Sequence, residues 1–247
     1  GIFCYYLENN DIQSDNYDPY YYKKYSLKIN LIRQQEKALW KARNRGVIEA
    51  QSDFLIFLDD DSCVKDDWVK HHIKCIDFFD ADISAGISKS MVGDKVPENY
   101  PFFRLADQLD TGNVLIKKEV FKKCGLFDRQ FEKQRMGDGE FGMRAYLFGF
   151  KSISNPEASR IHIKYSKGGL REFGSWDGLR PINWCNPRPI PSVLYYCRKY
   201  WTDKQAIFAL MQTIPFSLNP YWLKGKKSGH IISLVLFLLF FPLVIIQ

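Results

Sequence analysis

Five consecutive apolar residues, Phe54 to Leu58, run directly into three aspartates, Asp59, Asp60 and Asp61. An apolar run without polar alternation is typical of a strand that is buried on both faces of an α/β sheet. We therefore predict a central strand here. Ligands of open α/β sheets bind beyond the carboxyl ends of such strands, which is where the three aspartates would lie.

Three adjacent carboxylates repel one another unless a positive group lies among them. A divalent cation that also holds a diphosphate would supply that charge, and hard oxygen ligands suit Mg²⁺ or Mn²⁺. The alternative is an acidic turn that is simply solvated. The position of the three aspartates directly after the apolar run favours the metal site.

Strands and helices alternate along the first half of the chain, which is typical of an α/β fold. The 247 residues suffice for one large α/β domain with an appendage. Besides the Phe54–Leu58 strand, the pattern predicts strands at 27–32 and 114–116 and helices at 35–50, 119–124 and 138–148.

Charge and cysteine content exclude some classes of protein. The net charge is +7, but no basic stripe interleaved with stacking aromatics is present, so we expect no nucleic-acid partner. The six cysteines form no C-x-x-C pair, which argues against a zinc site or a disulfide scaffold.

A second acidic element is the sequence Gly137-Asp138-Gly139-Glu140 at the start of a predicted helix. The helix dipole favours an ionised carboxylate at this position, and such a group can act as a general base. Helix capping by Asp138, with a Glu140–Arg144 pair one turn along, is the structural alternative.

A third element begins at His162, between two isoleucines, and continues through Lys164, Lys167 and Arg171. The histidine is either a metal ligand or a hydrogen-bonded strand residue. The basic residues flank two glycines, so the segment either embraces phosphates or forms a solvated turn.

The end of the chain changes character. Residues 231–246 are apolar apart from Ser233 and Pro242, and three lysines, Lys224, Lys226 and Lys227, come just before them. Positive charge beside an apolar helix is typical of the cytoplasmic side of a membrane. We expect this segment to anchor the protein, by spanning the bilayer or by lying on it. A buried C-terminal helix is the alternative.

Between the two parts lies a proline-rich stretch, residues 176–191, which we interpret as a linker. Residues 192–208 follow as one predicted aromatic and basic helix that could lie on a membrane face. The predicted domains are thus 1–175 (catalytic), 176–227 (linker and helical region) and 228–247 (membrane segment).

The order of the motifs resembles family 2 glycosyltransferases of the GT-A fold, over about the first two-thirds of the chain. The resemblance is carried by Ala-Arg-Asn (42–44), Asp-x-Asp (59–61), Thr-Gly-Asn (111–113), Gly-Leu-Phe-Asp (125–128), the acidic helix start (137–144) and His162. It implies a Rossmann-like open mixed sheet flanked by helices. It also implies that the chain lacks its first strand, so that residues 2–10 form the second, where Glu8, Asn9 or Asp11 would contact the base.

The resemblance assigns roles residue by residue. Donor binding falls to Asp59, which contacts the ribose, and to Asp60, Arg43, Gly112 and Asn113. The metal ligands are Asp61 and His162. Asp138 matches the general base, and Gly137 and Glu140 flank it where the acceptor binds.

The implied function is inverting transfer of a sugar from a nucleotide-diphosphate sugar, with UDP favoured, using Mn²⁺ or Mg²⁺. The expected acceptor is a saccharide or lipid-linked glycan, and the expected setting is polysaccharide synthesis at the cytoplasmic face of a bacterial plasma membrane. Two alternatives stay open: a sugar nucleotidyltransferase, and a non-catalytic module on the membrane surface.

Overall fold

The computed structural model describes residues 2–8, 28–36, 38–90, 98–106, 108–163, 190–218, 223 and 226–246. The chain forms two compact units. Unit 1 comprises residues 1–129 and 138–164, and unit 2 comprises residues 130–137 and 165–247.

Within the described residues, the strands are β1 (Ile2–Glu8), β2 (Lys28–Gln34), β3 (Phe54–Leu58), β4 (Ser62–Val64), β5 (Ile83–Ser90), β6 (Arg104–Leu105), β7 (Asn113–Lys117) and β8 (Ser152–His162). The helices are α1 (Leu39–Glu49), α2 (Trp68–Phe79), α3 (Lys118–Cys124), α4 (Gly137–Leu147), α5 (Pro191–Tyr200), α6 (Asp203–Phe216) and α7 (Lys227–Ile245).

Unit 1 contains a six-stranded sheet with the order β3-β7-β5-β8-β4, and β6 also pairs with β8. The β5–β8 pair is parallel, whereas the other pairs are antiparallel. Strands β1 and β2 form a separate parallel pair. The predicted α/β fold with a mixed sheet is therefore confirmed.

The core of unit 1 is built on β7, in which Val114, Leu115 and Ile116 are almost fully buried. A group of aromatic rings then joins the helices to this sheet. Phe141 of α4 lies 4.9 Å from Phe121 of α3, measured between ring centroids. It lies 4.5 Å from Phe127, measured in the same way. This packing fixes the start of α4, where the second acidic element lies.

Two predictions about single elements are wrong. Within the described residues, β3 pairs with β7 alone and ends the strand order, so it is an edge strand and not a central one. Phe54 and Leu58 are accordingly 38% and 42% exposed. Residues 192–208 form two helices instead of one, because Thr202 and Gln205 make a reciprocal capping box that starts α6.

The apolar tail is helical, as α7. By length and composition, α7 is the one helix among the described residues that could cross a bilayer. Only 17% of its most apolar 18-residue stretch is buried, so most of the helix surface is exposed. The helix is kinked at Phe240, next to Pro242. The proline-rich segment predicted as a linker lies outside the described residues, apart from its last two positions.

Candidate active site

The acidic cluster forms the connection between β3 and β4. Strand β4 pairs antiparallel with the end of β8, and this register places Ser62 opposite His162. The backbone N–H of Ile163 donates to the carbonyl of Asp61 at 2.8 Å. Two segments about a hundred residues apart, which carry Asp61 and His162, therefore meet at one end of the sheet.

Asp61 and His162 are in direct contact. The His162 Nε2 atom lies 3.0 Å from Asp61 Oδ1, and both side chains are mostly buried. One ligand atom from each of Asp59, Asp61 and His162 lies within 4.8 Å of the others. The imidazole and the carboxylate are hydrogen-bonded to each other. Their spacing of 3.0 Å also equals that of neighbouring corners of an octahedron with bonds of about 2.1 Å, so it is compatible with a small divalent cation bound to both.

Asp59 is held between two guanidinium groups. Arg43 donates to its Oδ1 atom at 2.8 Å, and Arg160 donates to its Oδ2 atom at 2.8 Å. Burial would raise the pKa of Asp59, but the two arginines outweigh it and hold the pKa below its ordinary value. Both Asp59 oxygens thus accept from arginine, so Asp61 and His162 form the part of the cluster that best fits a cation.

Arg160 is the buried centre of this network, and its role was not predicted from the sequence. Its side chain is 2% exposed and donates to Asp59, Asp110, Ser62 and Ser88. Burial alone would lower the pKa of Arg160, but Asp110 and Asp59 raise it above its ordinary value. The sequence does contain a signal, because Arg160 shares one face of β8 with His162, two residues away.

Gly112 is packed against the same ion pair. A Cβ atom at this position would overlap the carboxylate of Asp59 and the guanidinium of Arg160. Its carbonyl also accepts the backbone N–H of Asp59 at 3.2 Å. The predicted donor-binding position is therefore one where only glycine fits without moving the charged groups.

Asp138 lies in the first turn of α4 and is tied to the acidic cluster through Arg43 and Thr111. Its Oδ1 atom accepts the Thr111 backbone N–H at 3.2 Å and the Thr111 hydroxyl, and lies 3.9 Å from Arg43 Nη1. All these contacts with described residues reach Oδ1, and the side chain is 24% exposed. Burial raises the pKa of Asp138 to about 6.

Arg43 therefore links two parts of the site. One of its nitrogens contacts Asp59, and the other contacts Thr111 and faces Asp138. The neighbouring Asn44 has a structural role, since its side chain exchanges two hydrogen bonds of 2.9 Å with the backbone of Phe127. This bond pair fixes α1, so that Arg43 points at the carboxylates.

The expectation that Asn113 binds the donor needs correction, because its side chain is fully buried. Its amide nitrogen donates to the carbonyls of Ile87 and Ala158, each at 2.9 Å. Its oxygen accepts from Trp68 at 2.8 Å and from His72 at 3.2 Å. All its polar capacity is thus used inside the fold. Burial lowers the pKa of His72 to about 4, so the ring is neutral and carries its proton on Nε2.

Glu140 also differs from the expectation that it binds the acceptor. It is fully buried, and Arg144 donates to its two oxygens at 2.9 and 2.8 Å. The predicted pairing along the helix is present, and it leaves Asp138 as the more accessible carboxylate of this element. Gly137 is the first residue of α4 and is buried.

Asp60, another predicted donor-binding residue, lies between two other aspartates in the chain. Desolvation and repulsion from Asp61 and Asp59 raise the pKa of Asp60. Lys164, Lys167 and Arg171, the predicted phosphate-binding residues, lie outside the described residues. So do Asn9 and Asp11, and of Glu8 the structure describes the backbone pairing with Gln34.

Comparison with protein families and curated proteins gives one match. The model of glycosyl transferase family 2 matches residues 14–146, which is more than half of the chain. No curated protein matches.

The fold is similar to those of solved glycosyltransferases. Residues 1–349 of TarS from S. aureus, in complex with UDP-GlcNAc, are 15% identical, with a TM-score of 0.58, 98% of this chain covered and 72% of that one. GalNAc-T7 with UDP, GalNAc and Mn²⁺ is 16% identical, with a TM-score of 0.59, 94% of this chain covered and 47% of that one. This chain covers 38% of a longer TarS structure. At these identities the likeness shows the GT-A fold.

Proposed function

The chain belongs to glycosyl transferase family 2, and from this premise we propose that it is a metal-dependent, inverting glycosyltransferase. The donor would be a nucleotide-diphosphate sugar, and the acceptor a hydroxyl of a saccharide or lipid-linked glycan. Membership of the family and the GT-A fold support glycosyl transfer over the sugar nucleotidyltransferase alternative.

The observation that carries the proposal is the convergence of two acidic elements through one arginine. Arg43 contacts Asp59 at 2.8 Å and faces Asp138 at 3.9 Å. Asp59 in turn belongs to the cluster with Asp61 and His162. A donor diphosphate at the cluster would therefore place its sugar within reach of the carboxylate that the sequence predicts as the base.

Asp138 would accept the proton of the attacking hydroxyl. Its Oδ1 atom is held by Thr111, so the carboxylate is oriented, and Oδ2 is the oxygen left for the acceptor. A pKa of about 6 keeps the group ionised at neutral pH while leaving it basic enough to take a proton in the transition state. Attack from this side in a single displacement would invert the anomeric configuration.

Asp61 and His162 would hold the metal ion at the donor diphosphate. A divalent ion bound there would neutralise the negative charge that develops on the leaving group. Arg160 would hold the carboxylates of Asp59 and Asp110 in fixed positions, while its own side chain is buried. Asp59, Asp60, Arg43 and Gly112 remain the proposed donor-binding residues.

UDP is the proposed donor nucleotide, because the TarS and GalNAc-T7 structures contain UDP-GlcNAc and UDP with GalNAc, respectively. Mn²⁺ is the first metal to test, since it is present with GalNAc-T7. We further propose that α7 attaches the enzyme to the cytoplasmic face of a bacterial membrane, where lipid-linked glycans would be its acceptors.

The test uses the full chain in membrane vesicles with Mn²⁺, a panel of UDP-sugars and a glycan acceptor mixture. Glycosyl transfer releases UDP, whereas a nucleotidyltransferase releases or consumes pyrophosphate, so the released product separates the two. The proposal predicts acceptor-dependent UDP release that EDTA stops and Mn²⁺ restores. Pyrophosphate turnover, or the absence of UDP release with every donor, would refute it.

A further inference from the structure

Helices α6 and α7 of unit 2 form an antiparallel pair. The Ser233 hydroxyl donates to the carbonyl of Pro215 at 2.7 Å, near the end of α6 and the start of α7. The rings of Phe216 and His230 lie 4.9 Å apart at the same end. Apolar side chains of both helices then pack in one cluster, which contains Leu210, Ile214, Leu236, Phe237 and Phe240.

The far end of α7 returns to the start of α5. Ile190, Leu218 and Val244 are the buried residues of this same cluster. Val244 is 4% exposed and lies beyond the kink at Phe240. Val244 of the last turn of α7 therefore belongs to the same buried cluster as Ile190, the residue directly before α5.

The chain reaches α5 without a segment that could cross a membrane. Residues 164–189 carry charged residues and prolines throughout and contain no long apolar run. The start of α5 thus lies on the same side of a membrane as the catalytic residues. Because Val244 packs in the same cluster as Ile190, the end of α7 lies on that side too.

We propose that α7 lies within one leaflet of the membrane, together with α6, and does not span the bilayer. The length of α6 agrees with this, because 14 residues extend about 21 Å, whereas the hydrocarbon core is about 30 Å thick. If both helices stay at one surface, no polar segment of the protein has to pass through the hydrocarbon core.

The exposed surface of the pair has the chemistry of a lipid-binding face. On α6, Ile207, Phe208 and Met211 lie on one side and are 53%, 62% and 68% exposed. The exposed residues of α7 beyond His230, together with Ile246 directly after it, are apolar throughout: Ile231, Leu234, Val235, Leu238, Leu239, Phe241, Pro242, Leu243, Ile245 and Ile246. An apolar surface of this extent on a soluble monomer would be unusual.

Basic and aromatic residues flank this surface, as they do on proteins that lie at a bilayer interface. Lys226 and Lys227 are exposed at the start of α7. At the junction of α5 and α6, Trp201 is 38% exposed, and Lys199 lies over the rings of Tyr195 and Tyr200. The positive charge of these lysines complements anionic headgroups, so we assign an anionic lipid leaflet as the partner that binds this surface.

This inference rests on the membrane attachment proposed above, but not on the sugar chemistry. Inside-out vesicles from cells that express the Gln247→Cys variant are treated with a membrane-impermeant maleimide, and labelled peptides are identified by mass spectrometry. The exposed native Cys63 of β4 reports the side of the catalytic residues. We expect Cys63 and the new cysteine to be labelled together without permeabilisation.

Three outcomes would overturn the proposal. Labelling of the new cysteine only after permeabilisation would show that α7 spans. If the new cysteine reacts under neither condition while Cys63 is labelled, the end of α7 lies inside the hydrocarbon and not at the surface. Recovery of the protein in the soluble fraction would refute attachment itself, and UDP release measured on the same sample tests the catalytic proposal separately.

The contribution of α6 is tested with a matched pair of substitutions. Phe208→Ser removes an exposed ring from α6, and Phe78→Ser removes an 82% exposed ring from α2 of unit 1. Binding of the purified protein to phosphatidylglycerol-containing vesicles should weaken about tenfold for Phe208→Ser and stay unchanged for Phe78→Ser. Equal binding of the two variants would exclude α6 from the lipid face.

Discussion

Replacing Asp138 by asparagine should impair catalysis and stabilise the fold at the same time. Asparagine keeps an oxygen that accepts the Thr111 N–H, but it cannot take a proton from the acceptor. Loss of a general base costs about 10²- to 10⁴-fold in turnover. Donor affinity should change little, because the donor is proposed to bind at Asp59 and Asp61.

The gain in stability follows from the pKa of Asp138, which burial raises from 3.8 to about 6. Because the pKa is higher in the folded state than in the unfolded state, ionisation opposes folding. This cost is absent below about pH 3.8 and complete above about pH 6, where it reaches at most about 3 kcal/mol. The variant should therefore melt at a higher temperature at pH 8, with the difference shrinking towards pH 4.

Thermal unfolding without donor, and UDP release across pH 5 to 8, measure the two effects. In the unchanged protein, turnover should rise with pH through about 6, as the base ionises. Glu140→Gln is the matched control: it leaves the mostly buried Arg144 without its carboxylate partner, so it should destabilise the fold, by about 3 kcal/mol. If folded Glu140→Gln lost turnover while Asp138→Asn kept it, the base would be misassigned.

Two further expectations concern the donor side of the site. Asp61→Asn should raise the Mn²⁺ concentration needed for half-maximal activity and weaken UDP binding in titration calorimetry, since it removes one of the paired ligands next to His162; unchanged metal dependence would exclude the pair. Gly112→Ala should lower both activity and melting temperature, because the added methyl group displaces the Asp59–Arg160 ion pair; a fully active variant would show that the pair is not needed.

Some contacts of the site are predictable from the sequence, either from a local spacing or from a motif order that a family shares. The family resemblance pairs Asp61 with His162 although they lie about a hundred residues apart, and the structure brings their side chains to 3.0 Å. The Glu140–Arg144 pair follows from their spacing by one helical turn. In each case the evidence lay within a few residues or in a recurring order.

The sequence fails where a side chain's role depends on strands that are distant in the chain and no recurring motif order links the residues. Arg160 looks like an ordinary strand residue until β3, β5 and β8 are placed together, and only then does it meet Asp59, Asp110 and Ser88. The same holds for Asn113, whose burial depends on α2 and β5. The break between α5 and α6, by contrast, was readable from the Thr202-x-x-Gln205 capping box.

The four hydrogen bonds of Asn113 also bear on how the domain assembles in time. Its partners lie 26 to 45 residues away along the chain, on α2, β5 and β8. Contacts of such separation form only after long loops have closed, so we expect them to be absent from the folding transition state. Asn113→Ala should then accelerate unfolding while leaving the refolding rate nearly unchanged. Asn113, the first residue of β7, would thus join α2, β5 and β8 only in the last stage of folding.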